Sequence, residues 1–314
     1  MKAIAIDHFG DASVLTLRDL ARPEPGRGEL LIRVRAAGVN PVDWKIREGL
    51  LKTRLPHQFP IIPGWDVAGT VAALGPGCRR FKKGDAVFAY ARKPVIKDGC
   101  YAEYVVVSEK NVARKPAKLS FKEAASIPLA ALTAWQSLFG AAGLKRGQTV
   151  LIHAGAGGVG GFAIQLAKWR GARVIVTARA RNHDYVRGLG ADAVIDYTQF
   201  DFVSAVKSLA PKGVDVAFDT VGDDVQVRSV ATVRKGGTLV TILAPRPESQ
   251  AAKGIQLKYV FVSPNAAQLK RLAALADAGR LKTHLSAVWP LAGVVEAHRL
   301  IQTGHTRGKI VLVV

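Results

Sequence analysis

Gly155, Gly157 and Gly160 fall in the segment Thr149 to Gly160, T-V-L-I-H-A-G-A-G-G-V-G, where an apolar run of strand propensity breaks into a turn just ahead of a helical pattern. Glycines in G-x-G-x-x-G spacing suit a dinucleotide: the first permits the tight turn, the second lets backbone approach a pyrophosphate, and the third allows close helix-strand packing. The cradle is therefore Gly155, Ala156, Gly157, Gly158, Val159 and Gly160. Residues 161 to 171, G-F-A-I-Q-L-A-K-W-R-G, carry apolar positions at helical spacing, so free N–H groups and the positive end of a helix dipole would face the phosphates. A glycine-rich loop without a ligand is the bland alternative, and the strand, turn and helix order weighs against it.

The next strand separates the two nicotinamide dinucleotides. Arg173 to Ala178, R-V-I-V-T-A, reads as a second parallel strand, at whose end an NAD site needs Asp or Glu for the ribose 2′-hydroxyl. Here the chain gives Thr177, Ala178, Arg179, Ala180 and Arg181, with no acid. Two guanidinium groups beside a hydroxyl suit the 2′-phosphate of NADPH, because arginine offers a planar fork of donors. Either arginine could instead be a solvated surface charge, and the position directly after the strand favours Arg179 over Arg181.

These motifs need elements to position them. From about 122 to 264, strands alternate with helical segments: T-V-L-I-H-A, R-V-I-V-T-A, A-V-I-D, D-V-A-F-D-T and G-G-T-L-V-T-I-L, with helices near 182 to 189 and 200 to 209. That alternation predicts an α/β unit built on a doubly wound parallel sheet. Before it the chain is mostly strands and turns; E-L-L-I-R-V-R puts Leu30, Ile32 and Val34 on one face and Arg33 and Arg35 on the other. Residues 290 to 304 read as a helix opened by proline and closed by glycine, and the strand K-I-V-L-V-V then returns to the β-rich part. The expected domains are 1–121 with 265–314, and 122–264.

At 314 residues the chain can bury two cores. Its first residues reach Asp7 before any long apolar run develops, so they read as neither signal peptide nor anchor, and no span has the apolar length of a membrane crossing. Two cysteines, Cys78 and Cys100, make no disulfide framework, which suits the cytoplasm. The seven histidines show no metal-ligand spacing; His153 and His298 read as structural. The net charge of +21 raises the question of a nucleic-acid partner, but it is spread as +9, +7 and +5 over 1–121, 122–264 and 265–314. The densest runs, R-R-F-K-K at 79 to 83 and K-N-V-A-R-K-P-A-K at 110 to 118, lack interleaved aromatics apart from Phe81. The charge reads as solvation plus attraction for an anionic cofactor, with no specific nucleic acid and no membrane as partner.

Across essentially its whole length the sequence resembles the medium-chain dehydrogenase/reductase superfamily, in its zinc-free quinone oxidoreductase branch of zeta-crystallin-like and enone reductases. The resemblance rests on A-A-G-V-N-P-V-D-W-K at 36 to 45, P-G-W-D-V-A-G-T-V at 63 to 71, G-C-Y-A-E-Y at 99 to 104, A-G-A-G-G-V-G at 154 to 160, F-D-T-V-G at 218 to 222 and R-G-K-I-V-L at 307 to 312. It implies a Rossmann domain inserted into a β-rich GroES-like catalytic domain, with the active site between them, and a homodimer in which the strand at 236 to 242 pairs with its symmetry mate. In the family's zinc enzymes a cysteine stands at the position of Asn40 and a histidine at that of Trp65, so the resemblance implies no metal and no ordinary alcohol oxidation.

Residue by residue, the resemblance implies Asn40, Asp43 and Lys45 as catalytic, in the segment that faces the nicotinamide. Lys45 stands where many quinone reductases carry tyrosine and enone reductases carry lysine, which tilts the acceptor toward enones. It implies cofactor contacts at Thr133, Tyr197, Asp219, Phe261, Val262 and Lys309, beside the glycine cradle, Thr177, Arg179 and Arg181. Alternatives stay open: Asn40 as a turn residue before Pro41, Lys45 as a solvent-facing lysine, Thr133 as a structural threonine, Asp219 as a helix cap. The expected activity is NADPH-dependent reduction of quinones or α,β-unsaturated carbonyls. Enoyl-thioester reduction is the alternative within enzymes, and a non-catalytic NADPH-binding nucleic-acid or sensory protein is the alternative outside them.

Overall fold

The computed structural model describes residues 1–314, which divide into two compact units, Met1–Leu132 with Ser263–Val314, and Thr133–Val262. The first unit begins with β1 (Lys2–Ala5), β2 (Thr16–Asp19), β3 (Glu29–Val39), α1 (Pro41–Arg47), β4 (His57–Ile62), β5 (Asp66–Leu74) and β6 (Ala86–Tyr90). It continues through β7 (Ile96–Asp98), β8 (Tyr104–Ser108), β9 (Val112–Arg114), α2 (Phe121–Ala125) and the start of α3 (Pro128–Trp135). The second unit holds β10 (Thr149–Ile152), α4 (Gly158–Trp169), β11 (Arg173–Thr177), α5 (His183–Gly188), β12 (Ala193–Ile195), α6 (Phe202–Leu209) and β13 (Val214–Asp219). It closes with α7 (Asp223–Ser229), β14 (Val233–Thr241), α8 (Pro247–Gln250) and β15 (Gln256–Tyr259). The chain then returns to the first unit with α9 (Ala266–Asp277), β16 (Leu285–Pro290), α10 (Val294–Gln302) and β17 (Lys309–Val313).

In the first unit a seven-stranded sheet runs β16-β17-β3-β5-β6-β9, with β8 also paired to β3. Along β3 the expected alternation holds, with Leu30, Ile32 and Val34 buried and Arg33 and Arg35 exposed. Its last residues matter most: Ile310 of β17 lies opposite Val39, and Asp66 of β5 lies opposite Gly38. The first residues of β17 and β5 therefore meet where β3 turns into α1. Glycine is needed at 38 because a Cβ there would collide with the Ala125 carbonyl of α2 and stand 3.0 Å from the Asp66 Cβ.

The second unit is a six-stranded parallel sheet in the order β12-β11-β10-β13-β14-β15. This is the doubly wound arrangement, with the strand order reversing between β10 and β13, where such sheets hold ligands at the strand carboxyl ends. One side of the sheet is closed by Leu151, Ile175, Ala217 and Leu239 against Phe202 and Val206 of α6. Burying each large side chain contributes about 1.5–3 kcal/mol.

Two sequence expectations change. Residues 122 to 132 group with the first unit rather than the second, because α2 packs on β3 and β5. The strand at 236 to 242, expected to pair with a symmetry mate, has both neighbours inside the chain: β14 lies between β13 and β15, so the edge strand on that side of the sheet is β15.

Candidate functional site

In the second unit the chain leaves β10 through His153 and Ala154, and Ala154 takes a left-handed φ of 48°. Thr177 holds this turn: its Oγ1 accepts from Ala154 N at 3.2 Å and its carbonyl accepts from Gly155 N at 3.0 Å. Gly157 is the N-cap of α4. A Cβ at Gly155 would stand 3.0 Å from Val176, one at Gly157 3.3 Å from the Ala154 carbonyl, and one at Gly160 would collide with that carbonyl. The turn is thus closed enough to demand glycine, and it aims the first N–H groups of a twelve-residue helix at the sheet's carboxyl edge. This cradle fits a dinucleotide pyrophosphate. Ala156 is buried in it, while Gly158 and Val159 are half-buried.

Beneath the turn, His153 sets its ring edge-on to Phe202 at 4.8 Å and bonds Thr177 Oγ1 at 3.2 Å and Ser229 Oγ at 2.9 Å. Burial pulls its pKa down to about 4, so it is neutral and structural. Thr177 is occupied by these contacts and buried. Arg179 Nε donates to Tyr197 Oη at 3.0 Å, Tyr197 is 47% exposed, and Arg181 is exposed. The acid just after β12, Asp196, is engaged: it accepts from Thr198 Oγ1 at 2.7 Å, Thr198 N at 3.0 Å and Ala180 N at 2.9 Å, and these bonds, the Thr198 hydroxyl's foremost, hold its pKa below the usual carboxylate range.

Asp219 is likewise enclosed. One oxygen accepts from Val221 N and Gly222 N at 2.9 and 2.8 Å, the other from Thr241 Oγ1 at 2.8 Å and Gln226 Nε2 at 3.2 Å. It fastens the end of β13 to the turn before α7 and to β14, and it does not cap α7, whose N-cap is Gly222. Thr133 is buried in α3, Phe261 is half-buried, and Val262 is buried at the end of the unit.

Asn40, Asp43, Lys45 and Lys309 all lie in the first unit. Asn40 is the N-cap of α1, and Asp43, three residues on, accepts from its backbone N–H at 2.8 Å. Asp43 also accepts from Tyr101 Oη at 2.8 Å, both bonds falling on Oδ2; Oδ1 is buried without a partner. Burial raises the Asp43 pKa to about 7 against those two bonds, with Asp66 adding to the rise and Lys309 opposing it. Lys309 is 4% exposed and sits with Asn40: its Nζ donates to Asn40 Oδ1 and to the Val39 carbonyl at 2.9 Å, and stands 4.0 Å from Asp66 Oδ2. Asn40 Nδ2 donates to that same Asp66 oxygen at 2.9 Å. Burial raises the Asp66 pKa to about 6, with Lys309 the main opposing influence.

Lys45 follows on α1, half-buried, 5.6 Å above the Trp44 ring, with burial lowering its pKa. At the far end of the helix Arg47 is fully buried, bonded to the Gly10 carbonyl at 3.1 Å, His298 Nδ1 at 3.2 Å and Gln302 Oε1 at 3.2 Å. Burial takes the His298 pKa down to about 3, and the Arg47 charge adds to it, so this ring is the neutral acceptor.

Asp66, Tyr101 and Arg47 are absent from the sequence candidates. The only signals were local: Asp66 follows Trp65 in P-G-W-D, and Tyr101 stands in G-C-Y-A-E-Y. Lys309 lies in the first unit, bonded to Asn40.

Residues 26–117 match the alcohol dehydrogenase GroES-like domain family, and residues 189–312 match the family described as zinc-binding dehydrogenase. The donor set does not fit a zinc ion: no cluster of three or more His, Cys, Asp or Glu exists, Asn40 is bonded to Lys309 and Asp66, and Trp65 packs edge-on to Tyr90 at 6.0 Å. A chloroplastic quinone-oxidoreductase homolog of Spinacia oleracea is 34% identical over 326 residues, covering 99% of this chain and 98% of the spinach protein. An Arabidopsis thaliana protein named NADPH-dependent alkenal/one oxidoreductase is 34% identical over 321 residues, covering 99% of this chain and 79% of its own. The solved quinone oxidoreductase of Coxiella burnetii superposes with a TM-score of 0.90 at 39% identity, over 100% of this chain and 99% of that one. With a GroES-like match, a doubly wound sheet and relatives aligned from end to end, the chain belongs to the quinone oxidoreductase branch of the medium-chain dehydrogenase/reductase superfamily.

Proposed function

We propose that the protein is an NADPH-dependent reductase of α,β-unsaturated carbonyls and quinones. The observation that carries this reading is the second unit's glycine cradle, followed at the end of β11 by Arg179 bonded to Tyr197, with Asp196 already bonded to Ala180 and Thr198. The glycine turn would hold the pyrophosphate, and Arg179 with Arg181 the 2′-phosphate that distinguishes NADPH from NADH. When bound, the reduced nicotinamide supplies hydride to the electrophilic carbon of the acceptor. The protein's own part is electrostatic. An ammonium at Lys45 Nζ stabilises negative charge on the acceptor oxygen as it develops, and its lowered pKa makes it a readier proton donor to the enolate. An activated acceptor needs no Lewis acid, in keeping with a donor set that cannot hold zinc.

We read the protein further as a homodimer, with β15 rather than β14 as the strand open to a second copy, and as having no specific nucleic-acid partner. No helix is long and apolar enough to cross a membrane. Two free cysteines support a cytoplasmic setting.

The test is loss of reduced-nicotinamide absorbance with NADPH or NADH against an enone, a quinone and a crotonyl thioester. Oxidation of NADPH by the enone or quinone is expected, with Lys45→Met lowering the single-turnover rate about tenfold, or roughly 1.4 kcal/mol, at nearly unchanged NADPH affinity. Turnover of the thioester alone would make the protein an enoyl-thioester reductase. Binding without turnover of any acceptor would reject an enzyme of this class.

A further inference from the structure

Three buried side chains from distant parts of the sequence meet where β3 becomes α1. Lys309 opens β17, Asp66 opens β5, and Asn40 caps α1. Lys309 Nζ donates to Asn40 Oδ1 and to the Val39 carbonyl at 2.9 Å. Asp66 Oδ2 accepts from Asn40 Nδ2 at 2.9 Å and lies 4.0 Å from Lys309 Nζ; its Oδ1 accepts from Leu129 N at 2.8 Å. An ammonium only donates and an ionised carboxylate only accepts, so the amide between them has one orientation. Turning it over would set N–H against ammonium and oxygen against carboxylate.

Such a pair is costly to bury, and apolar residues of similar volume often stabilise a core as well or better, so its presence asks for a reason beyond stability. Orientation supplies one. From the geometry we infer that Lys309 and Asp66 are positioning residues for the reaction proposed above: they lock the Asn40 amide and the first turn of α1, and through that short helix they fix Lys45. The inference rests on that reading of the reaction. The far end of α1 is fixed independently by Arg47, bonded to the Gly10 carbonyl, His298 and Gln302. With both ends anchored, the place of Lys45 follows from the helix. Asn40 retains a second Nδ2 hydrogen that no side chain of the unit takes, and the Lys309–Asp66 pair holds that donor in place.

The experiment compares Lys309→Met with the double variant Lys309→Met/Asp66→Asn. Four quantities are measured: kcat and KM for the acceptor, the Kd for NADPH by tryptophan quenching, the melting temperature, and hydrogen exchange of the amides of residues 41 to 47. The single variant leaves Asp66 buried without its cation, so its melting temperature falls. Its kcat should drop about tenfold or more while the NADPH Kd stays within about twofold. In the double variant no charge is left unpaired and the melting temperature recovers, yet kcat stays low and exchange across α1 stays fast, because Asn40 Oδ1 still lacks its donor. Recovery of kcat together with melting temperature would reduce the pair to a structural role and overturn the inference. A weakened NADPH Kd as the main effect would overturn it too, returning Lys309 to the cofactor. If the wild-type protein turns over no acceptor, the reading of the reaction fails on its own, and the exchange data still decide: α1 amides as slow in both variants as in the wild type contradict positioning.

Discussion

One buried lysine faces two buried carboxyl groups, and that count sets their protonation. Lys309 stands beside Asp66, so Asp66 is the carboxylate of the set and Asp43, with one oxygen unpartnered, is the acid that keeps its proton toward neutrality. Burial is the main cause of the Asp43 pKa of about 7. The folded protein therefore holds a proton that the unfolded chain releases near its ordinary pKa of about 4, and stability from this group is lost as pH rises between those values. Asp43→Asn keeps an oxygen for the Asn40 and Tyr101 donors while removing the titration. The melting temperature of the variant, relative to wild type, is expected to climb between about pH 4 and pH 7 and level off above. A difference that does not change with pH would show that Asp43 is not the group held protonated. None of this arrangement was legible in the sequence. Asn40 and Asp43 stand out locally, but Asp43 is met by Tyr101, and the partners of Asn40 come from the start of β5 and from β17, brought together by the register of three strands, Gly38 opposite Asp66 and Val39 opposite Ile310.

At the scale of elements, local signals carried further. The apolar run of β10, the glycine turn and the apolar period of α4 are consecutive, so the dinucleotide cradle can be read without knowing any tertiary contact. The parallel sheet follows from alternation for the same reason. Expectation failed at β15, Q-L-K-Y, which is four residues long, has two exposed positions and carries little strand signal of its own; it becomes a strand because β14 offers it a partner. Thr177 and Asp219 are also instructive. Both stand at strand ends on the ligand side, yet their polar atoms are consumed in building the turns beside them. In the proposed function selectivity falls to Arg179, which is bonded to Tyr197. Titration of both cofactors by tryptophan quenching should show NADPH bound more tightly than NADH, and Arg179→Ala should weaken NADPH about tenfold while leaving NADH nearly unchanged, the loss of a charge-assisted phosphate contact. Equal weakening of both cofactors would remove Arg179 from the 2′-phosphate.

For the whole molecule, the net charge of +21 is spread over both units, and most of the ion pairs lie on exposed side chains, where each contributes little. In the proposed reading this charge serves to attract the anionic cofactor. Thr133–Val262 holds the dinucleotide cradle, and the remainder holds the buried ionic cluster at the start of α1. The claim that joins them is reduction of an activated double bond at the expense of NADPH. It is tested most directly with NADPH dideuterated at nicotinamide C4 and an enone, following the label by NMR of the product. A saturated ketone with deuterium on the β-carbon and a solvent hydrogen on the α-carbon is the predicted result. NADPH that binds but is not consumed, or a product without deuterium on the β-carbon, would contradict it.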